Sequence, residues 1–367
     1  MVCYKKKHTV PLNSAANSLS FIEKLEDAIA KIQISPELTI THADYEPLVI
    51  PDQYRDYLKQ ISVCEQNRYL AVKLQQYLYA IFDGDLKFQG NSAPDAIDEP
   101  KEIINRADKW YKTKFFQQLT QSNHGQGYSD YGWLILEQKA ENHWQVFKDG
   151  LTLHINPKQQ LAVSNLESQP GQKVAIKMPS NLVDHGFYIA VGDAGSIERH
   201  DSNSAVVRLY FNVNSQGALL LSDYFTQQLN ILKVPFDFKI AYQEESFVKP
   251  DAAILSLNSP DYLRLSEIIK DICQDNQACF KSEIPFFCKF LKPGLGLAEK
   301  PNMALESKSA NIGLQNCFVI AKALIEICKP NKQLDVNKLD YVFQYASKEG
   351  VDLERPYLNP GSEATYE

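Results

Sequence analysis

Apolar and polar positions alternate with a period of two through the middle of the chain, and with a helical period towards both ends. In 206–213, Val207, Leu209, Phe211 and Val213 fall on one face of a strand, and Arg208, Tyr210 and Asn212 on the other. In 235–240, Phe236, Phe238 and Ile240 share a face and Asp237 and Lys239 share its opposite. A third ladder, 174–178, carries Lys177. Further strands are expected near 133–137, 144–148, 151–155, 186–192 and 251–257, with Lys148-Asp149-Gly150 as a hairpin turn. Helical spacing covers 16–34, 51–82 (Pro51 suits a first helical position), about 99–120, 218–232, 260–275, 309–328 and 336–348. Residues 84–99 and 157–172 read as loops.

This order predicts an α+β fold, a helical N-terminal third followed by a mostly antiparallel sheet flanked by helices. It is not the regular alternation of a doubly wound sheet. The expected divisions are a helical region over 1–120, an α+β domain over 121–349 and a loosely ordered polar tail over 350–367.

Composition narrows the function. With 367 residues, 44% of them hydrophobic and 23% charged, the chain can bury a sizeable core. A net charge of −7 argues against a nucleic-acid partner, which requires a basic footprint. The basic start, Lys5-Lys6-Lys7, has no apolar run behind it, so neither a secretory signal nor a membrane partner is expected. Seven cysteines at irregular spacing, with no CxxC pair, fit reduced thiols and a cytoplasmic location. Cys317 and Cys328 sit in an apolar helical run and read as core. There is no P-loop, Rossmann glycine fingerprint, HExxH or GxSxG motif.

If the three cationic strands are neighbours in one sheet, their polar faces make a floor of Lys, Arg, Tyr and Asn suited to a phosphate ester. The plainer alternative is the solvated side of a half-buried sheet. Asn123-His124-Gly125-Gln126-Gly127 is either a tight loop or a backbone cradle for an anion. His154, on a strand, is more often a structural hydrogen-bonder than a catalyst. His124 and His185 lie beside glycines in loops. Tyr77, Leu78, Tyr79 and Phe82 read as core, with an exposed docking surface as the alternative.

Several segments taken in order resemble a known family. They are Gly125-Gln-Gly-Tyr-Ser-Asp-Tyr-Gly-Trp133, Lys148-Asp-Gly-Leu151, 184–194 (Asp-His-Gly-Phe-Tyr-Ile-Ala-Val-Gly-Asp-Ala) and Arg208-Leu-Tyr-Phe-Asn212. Val234-Pro-Phe-Asp-Phe-Lys239, Lys249-Pro-Asp-Ala-Ala-Ile-Leu255, 293–301 and Asn311-Ile-Gly-Leu-Gln-Asn-Cys317 follow. Over about 120–330 the chain resembles the bacterial type III effector Hop A family, which also supplies the lyase subunit of class V lanthipeptide biosynthesis. The resemblance implies a phosphoserine/phosphothreonine lyase. Its substrate would be a phosphorylated precursor peptide, with a separate kinase as a possible partner. The effectors of the family make a non-catalytic relative that binds a peptide or protein the alternative.

β-Elimination requires a base for a weakly acidic Cα proton and cations on the departing phosphate. The resemblance places Lys239 or Lys177 as base and Tyr210 or His154 as acid or orienter. Arg208 and Lys249, with Asn212 and Lys148, would hold phosphate, and Asp251 would support a cation. No metal or redox cofactor is needed. Three positions depart from the family pattern. Lys249 and Asn316 stand where the family has arginine, and Ile312 where it has phenylalanine. A lost phosphate ligand at 316 would slow or abolish the reaction, whereas a structural position would change little.

Overall fold

The computed structural model describes residues 21–35, 39–83, 113–140, 143–162, 168–184, 186–197, 204–302, 311–329 and 336–366. The chain divides into two compact units, one combining 1–100 with 283–367, the other spanning 101–282. The first opens with α1 (Phe21–Lys31), β1 (Ile32–Ile34), β2 (Ile40–His42), α2 (Asp52–Leu58) and α3 (Val63–Asp83). The second holds α4 (Lys114–Gln121), β3 (Tyr128–Ala140), β4 (His143–Lys148), β5 (Leu151–Ile155), α5 (Pro157–Gln160) and β6 (Lys173–Met178). It continues with β7 (Asn181–Asp184), β8 (Phe187–Val191), β9 (Val206–Phe211), α6 (Ser215–Ile231), β10 (Asp237–Ala241), β11 (Ala253–Asn258) and α7 (Ser259–Asp275). The chain then returns to the first unit with β12 (Lys289–Lys292), β13 (Leu295–Glu299), α8 (Ile312–Ile327) and α9 (Lys338–Lys348). Helices and antiparallel sheets make this an α+β fold.

In the first unit α8 packs against α3 and α9. Its sequence is apolar nearly all round, as a helix enclosed by others must be. Asn311 caps it, accepting from the Leu314 N–H at 2.8 Å. Tyr77 and Leu78 are core residues, and Phe82 stacks on Phe286 with centroids 4.4 Å apart. The helix expected over 51–82 is two helices. Ser62 and Glu65 form a capping box that starts α3 afresh, the Glu65 N–H donating to the Ser62 hydroxyl and the Ser62 N–H to Glu65. Likewise the pattern at 16–34 is helical only to Lys31 among its described residues, and β1 follows. Cys317 is buried, but Cys328 sits exposed at the C-cap of α8.

Residues 350–366, read from composition as a loose tail, bury Val351, Leu353, Leu358 and Tyr366. Glu299, itself fully buried, accepts from the Asn359 N–H, the Ser362 hydroxyl and the Tyr366 hydroxyl at 2.7–2.8 Å. A carboxylate can be buried when neutral donors satisfy it in this way.

The second unit contains two sheets. Five antiparallel strands run in the order β9-β11-β10-β8-β7. Four more run β5-β4-β3-β6. The apolar face of the five-stranded sheet is covered by α6, whose Phe225 ring lies 5.3 Å from Phe238 and 5.6 Å from Phe211. Trp133, Ile135, Trp144, Val146, Ile155 and Ile176 form the core of the four-stranded sheet. Tyr128 packs with Ile189 and Val191, and Met178 adds to that cluster, joining the two sheets at one end.

Candidate functional site

The alternation read in β9 and β10 holds in space, and the strand expected near 251–257 lies between them. β11 pairs with both. Directly opposed residues in antiparallel pairs point to the same side, so register defines rows across the sheet. One row is Ile189, Lys239, Ile254 and Tyr210; the next is Val191, Asp237, Ser256 and Arg208. Lys239, Tyr210, Arg208, Asp237 and Ser256 therefore share one face, with Asn212 one step further along β9.

Burial differs along this face. Lys239 and Arg208 are half-buried. Tyr210 is 4% exposed, Asn212 3% and Asp237 2%. The Ser196 hydroxyl donates to Asp237 Oδ2 at 2.8 Å. A buried carboxylate requires donors of this kind. Arg208 and Tyr210 are themselves engaged in protein contacts. Ala253 faces Phe211, so the turn carrying Lys249 and Asp251 enters β11 beside the Asn212 end of β9. Lys249 is exposed and Asp251 half-buried. The Lys281 N–H donates to the Asn212 carbonyl at 2.9 Å, and its ammonium donates to the Phe247 carbonyl at 2.5 Å.

Other expected residues are placed elsewhere. β6 belongs to the four-stranded sheet, which corrects the expectation of one floor made by three neighbouring strands. Lys177 is exposed there, on the side away from Ile176 and the core. Lys148 pairs with Asp130 at 2.5 Å, and the Trp133 indole N–H donates to the same carboxylate at 2.8 Å. His154 lies on the exposed side of β5, its Nδ1 3.1 Å from Nε2 of His143. His124 Nε2 is 2.8 Å from Asp223, and His185 lies outside the described residues.

The glycine-rich loop has a clear internal role. The Gln126 and Gly127 N–H groups donate to Asp193 Oδ1 at 2.6 and 3.0 Å. The protein's own carboxylate thus occupies the backbone cradle, favouring the tight-loop reading. Gly127 has φ +88°, and a Cβ there would stand 2.4 Å from the Met178 carbonyl oxygen.

The profile of the HopA1 effector protein family matches residues 178–358, just under half of the chain. Through this region the chain is similar to the HopA1 effector protein family. The match spans β9, β10, β11 and α8. Two effector structures from Pseudomonas syringae are similar. That of pathovar syringae strain 61 has 17% identity and a TM-score of 0.36, covering 47% of this chain and 62% of its own. That of pathovar tomato strain DC3000 has 15% identity and a TM-score of 0.41, covering 78% of this chain and 98% of its own. The chain thus spans less than two thirds of the first. No curated protein matches the sequence.

Within the matched region, Asn316 is completely buried and donates to the Pro356 carbonyl at 2.6 Å. In this chain the position serves packing and the docking of 356–366. Ile312, the other departure on α8, is also buried. Among the described residues no helix is long and apolar enough to cross a membrane. Sequence reading left out Ser256, Ser196 and Lys281. Ser256 sits in an otherwise apolar run, Ala253 to Leu257, and only the register reveals its face.

Proposed function

We propose that the chain is a phosphoserine/phosphothreonine lyase acting on a phosphorylated peptide. The observation that carries this reading is the placement of Lys239, Tyr210 and Arg208 on two adjacent rows of one sheet face. Support also comes from the HopA1-family match, which contains all three. Lys239 Nζ takes the Cα proton, and the freed electron pair forms the Cα–Cβ double bond. The Cβ–O bond breaks and its pair leaves with phosphate, giving dehydroalanine or dehydrobutyrine. Arg208, whose fork carries five donors, holds the phosphate oxygens as charge develops. Tyr210 orients the departing oxygen, and Lys249 at the rim attracts the substrate. Asp237 lies on the same row as Arg208 and balances part of the charge of this face. His154 and Lys148 have no part in this mechanism, because each is held by a partner on the other sheet.

The scattering of Lys177, Lys148 and Lys249 favours a second reading, a non-catalytic peptide-binding relative. Incubation of the purified protein with phosphoserine and phosphothreonine peptides separates the two. Loss of phosphoric acid supports the lyase, and binding without mass change supports the second reading.

A further inference from the structure

The hairpin of β4 and β5 presents a pair of histidines that the elimination does not use. Its five paired positions run from Trp144 opposite Ile155 to Lys148 opposite Leu151. Asp149 and Gly150 close it, with φ of 50° and 80°. Trp144, Val146 and Ile155 point into the core. Alternation therefore turns His143 and His154 to the opposite, exposed side. Their rings lie 5.0 Å apart, inclined by 27°, with His143 Nε2 and His154 Nδ1 separated by 3.1 Å.

Two neutral imidazoles at this separation share one hydrogen, one nitrogen donating and the other accepting. The same separation suits two ligands of a single ion. Metal–nitrogen bonds of about 2.0–2.1 Å, meeting at between a right angle and the tetrahedral angle, hold the nitrogens about 2.9–3.4 Å apart. A shift of the donor ring to its other tautomer, which carries the hydrogen on the far nitrogen, and a turn of each ring about its own side-chain bonds would aim both lone pairs at one point. The paired strands need not move. Imidazole suits nickel, copper and zinc, and neutral nitrogen ligands do not favour calcium or magnesium.

The geometry points to a two-histidine site for a borderline divalent metal ion, with His143 Nε2 and His154 Nδ1 as adjacent ligands. Among the described residues no cluster of three or more metal-ligating side chains forms, so water completes the coordination and the ion exchanges readily. This placement on an exposed hairpin makes the site independent of the sheet face that carries Lys239.

The test titrates chelator-stripped full-length protein with Ni2+ alone, by calorimetry near neutral pH. Loss of a mere supporting partner costs about 10–100-fold in metal affinity, so His143→Ala and His154→Ala should each weaken one site at least about tenfold. Both side chains are exposed, and an unchanged melting temperature verifies folding. His154→Gln replaces either variant that melts early. In parallel, substoichiometric Ni2+ should broaden the ring protons of two of the seven histidines in the wild-type protein. Superimposable isotherms for wild type and variants would overturn the site. So would broadening at other histidines while this pair stays sharp.

Discussion

The two sheets of the 101–282 unit both carry lysines and treat them in opposite ways. In the four-stranded sheet Lys148 lies against Asp130, and that carboxylate also takes the Trp133 indole N–H, so the charge closes the end of a core. In the five-stranded sheet Lys239 and Arg208 stand on rows shared with Tyr210, Ser256 and Asp237. Identical residue types serve packing in one sheet and assemble a polar face in the other. Residue type and strand position do not separate these fates; register across the sheet does.

Substitution sharpens the contrast. The largest effect is expected at Lys239, where Lys239→Ala should lower the elimination rate about 10²–10⁴-fold, the range of a lost general base, with little change in melting temperature. Full activity in that variant would remove the assignment. Arg208→Lys keeps the charge but loses the fork, and should raise the phosphopeptide KM and lower kcat/KM by about tenfold or more. On the other sheet, Lys148→Met should leave Asp130 without its cation and lower stability by about 1–3 kcal/mol in denaturant unfolding. A Lys148 variant as inactive as Lys239→Ala would erase the distinction between the sheets.

Smaller effects test the surrounding frame. Asn316→Ala should cost about 1–3 kcal/mol by leaving the Pro356 carbonyl without its donor. Loss of turnover without loss of stability there would restore the phosphate-ligand reading of that position. Tyr262, 1% exposed, has its hydroxyl pushed up to about 12 by burial, with Glu267 adding to it. Its folded value exceeds that of the unfolded chain, so the stability it contributes is complete below about pH 10 and falls away as pH rises towards 12. Tyr262→Phe should flatten that alkaline loss.

The faces of β9 and β10 were legible because period-two alternation is a property of the backbone itself. Which strands are neighbours was not. Nothing in Val174–Met178 says that it pairs with β3, and Ser256 hides in an apolar run. The break at Ser62 was written as Ser-x-x-Glu, but a continuous helical period masked it. The buried tail escaped because Val351, Leu353, Leu358 and Tyr366 follow neither period, and their burial depends on distant partners such as Glu299.

The central claim is that the Lys239–Arg208 face removes phosphate by elimination. The most direct measurement is the product mass of phosphoserine and phosphothreonine peptides incubated with wild type and with Lys239→Ala. The account predicts loss of phosphoric acid and a dehydro residue with wild type only. Phosphate release that leaves the hydroxyl intact, or an unchanged phosphorylated native peptide, would contradict it.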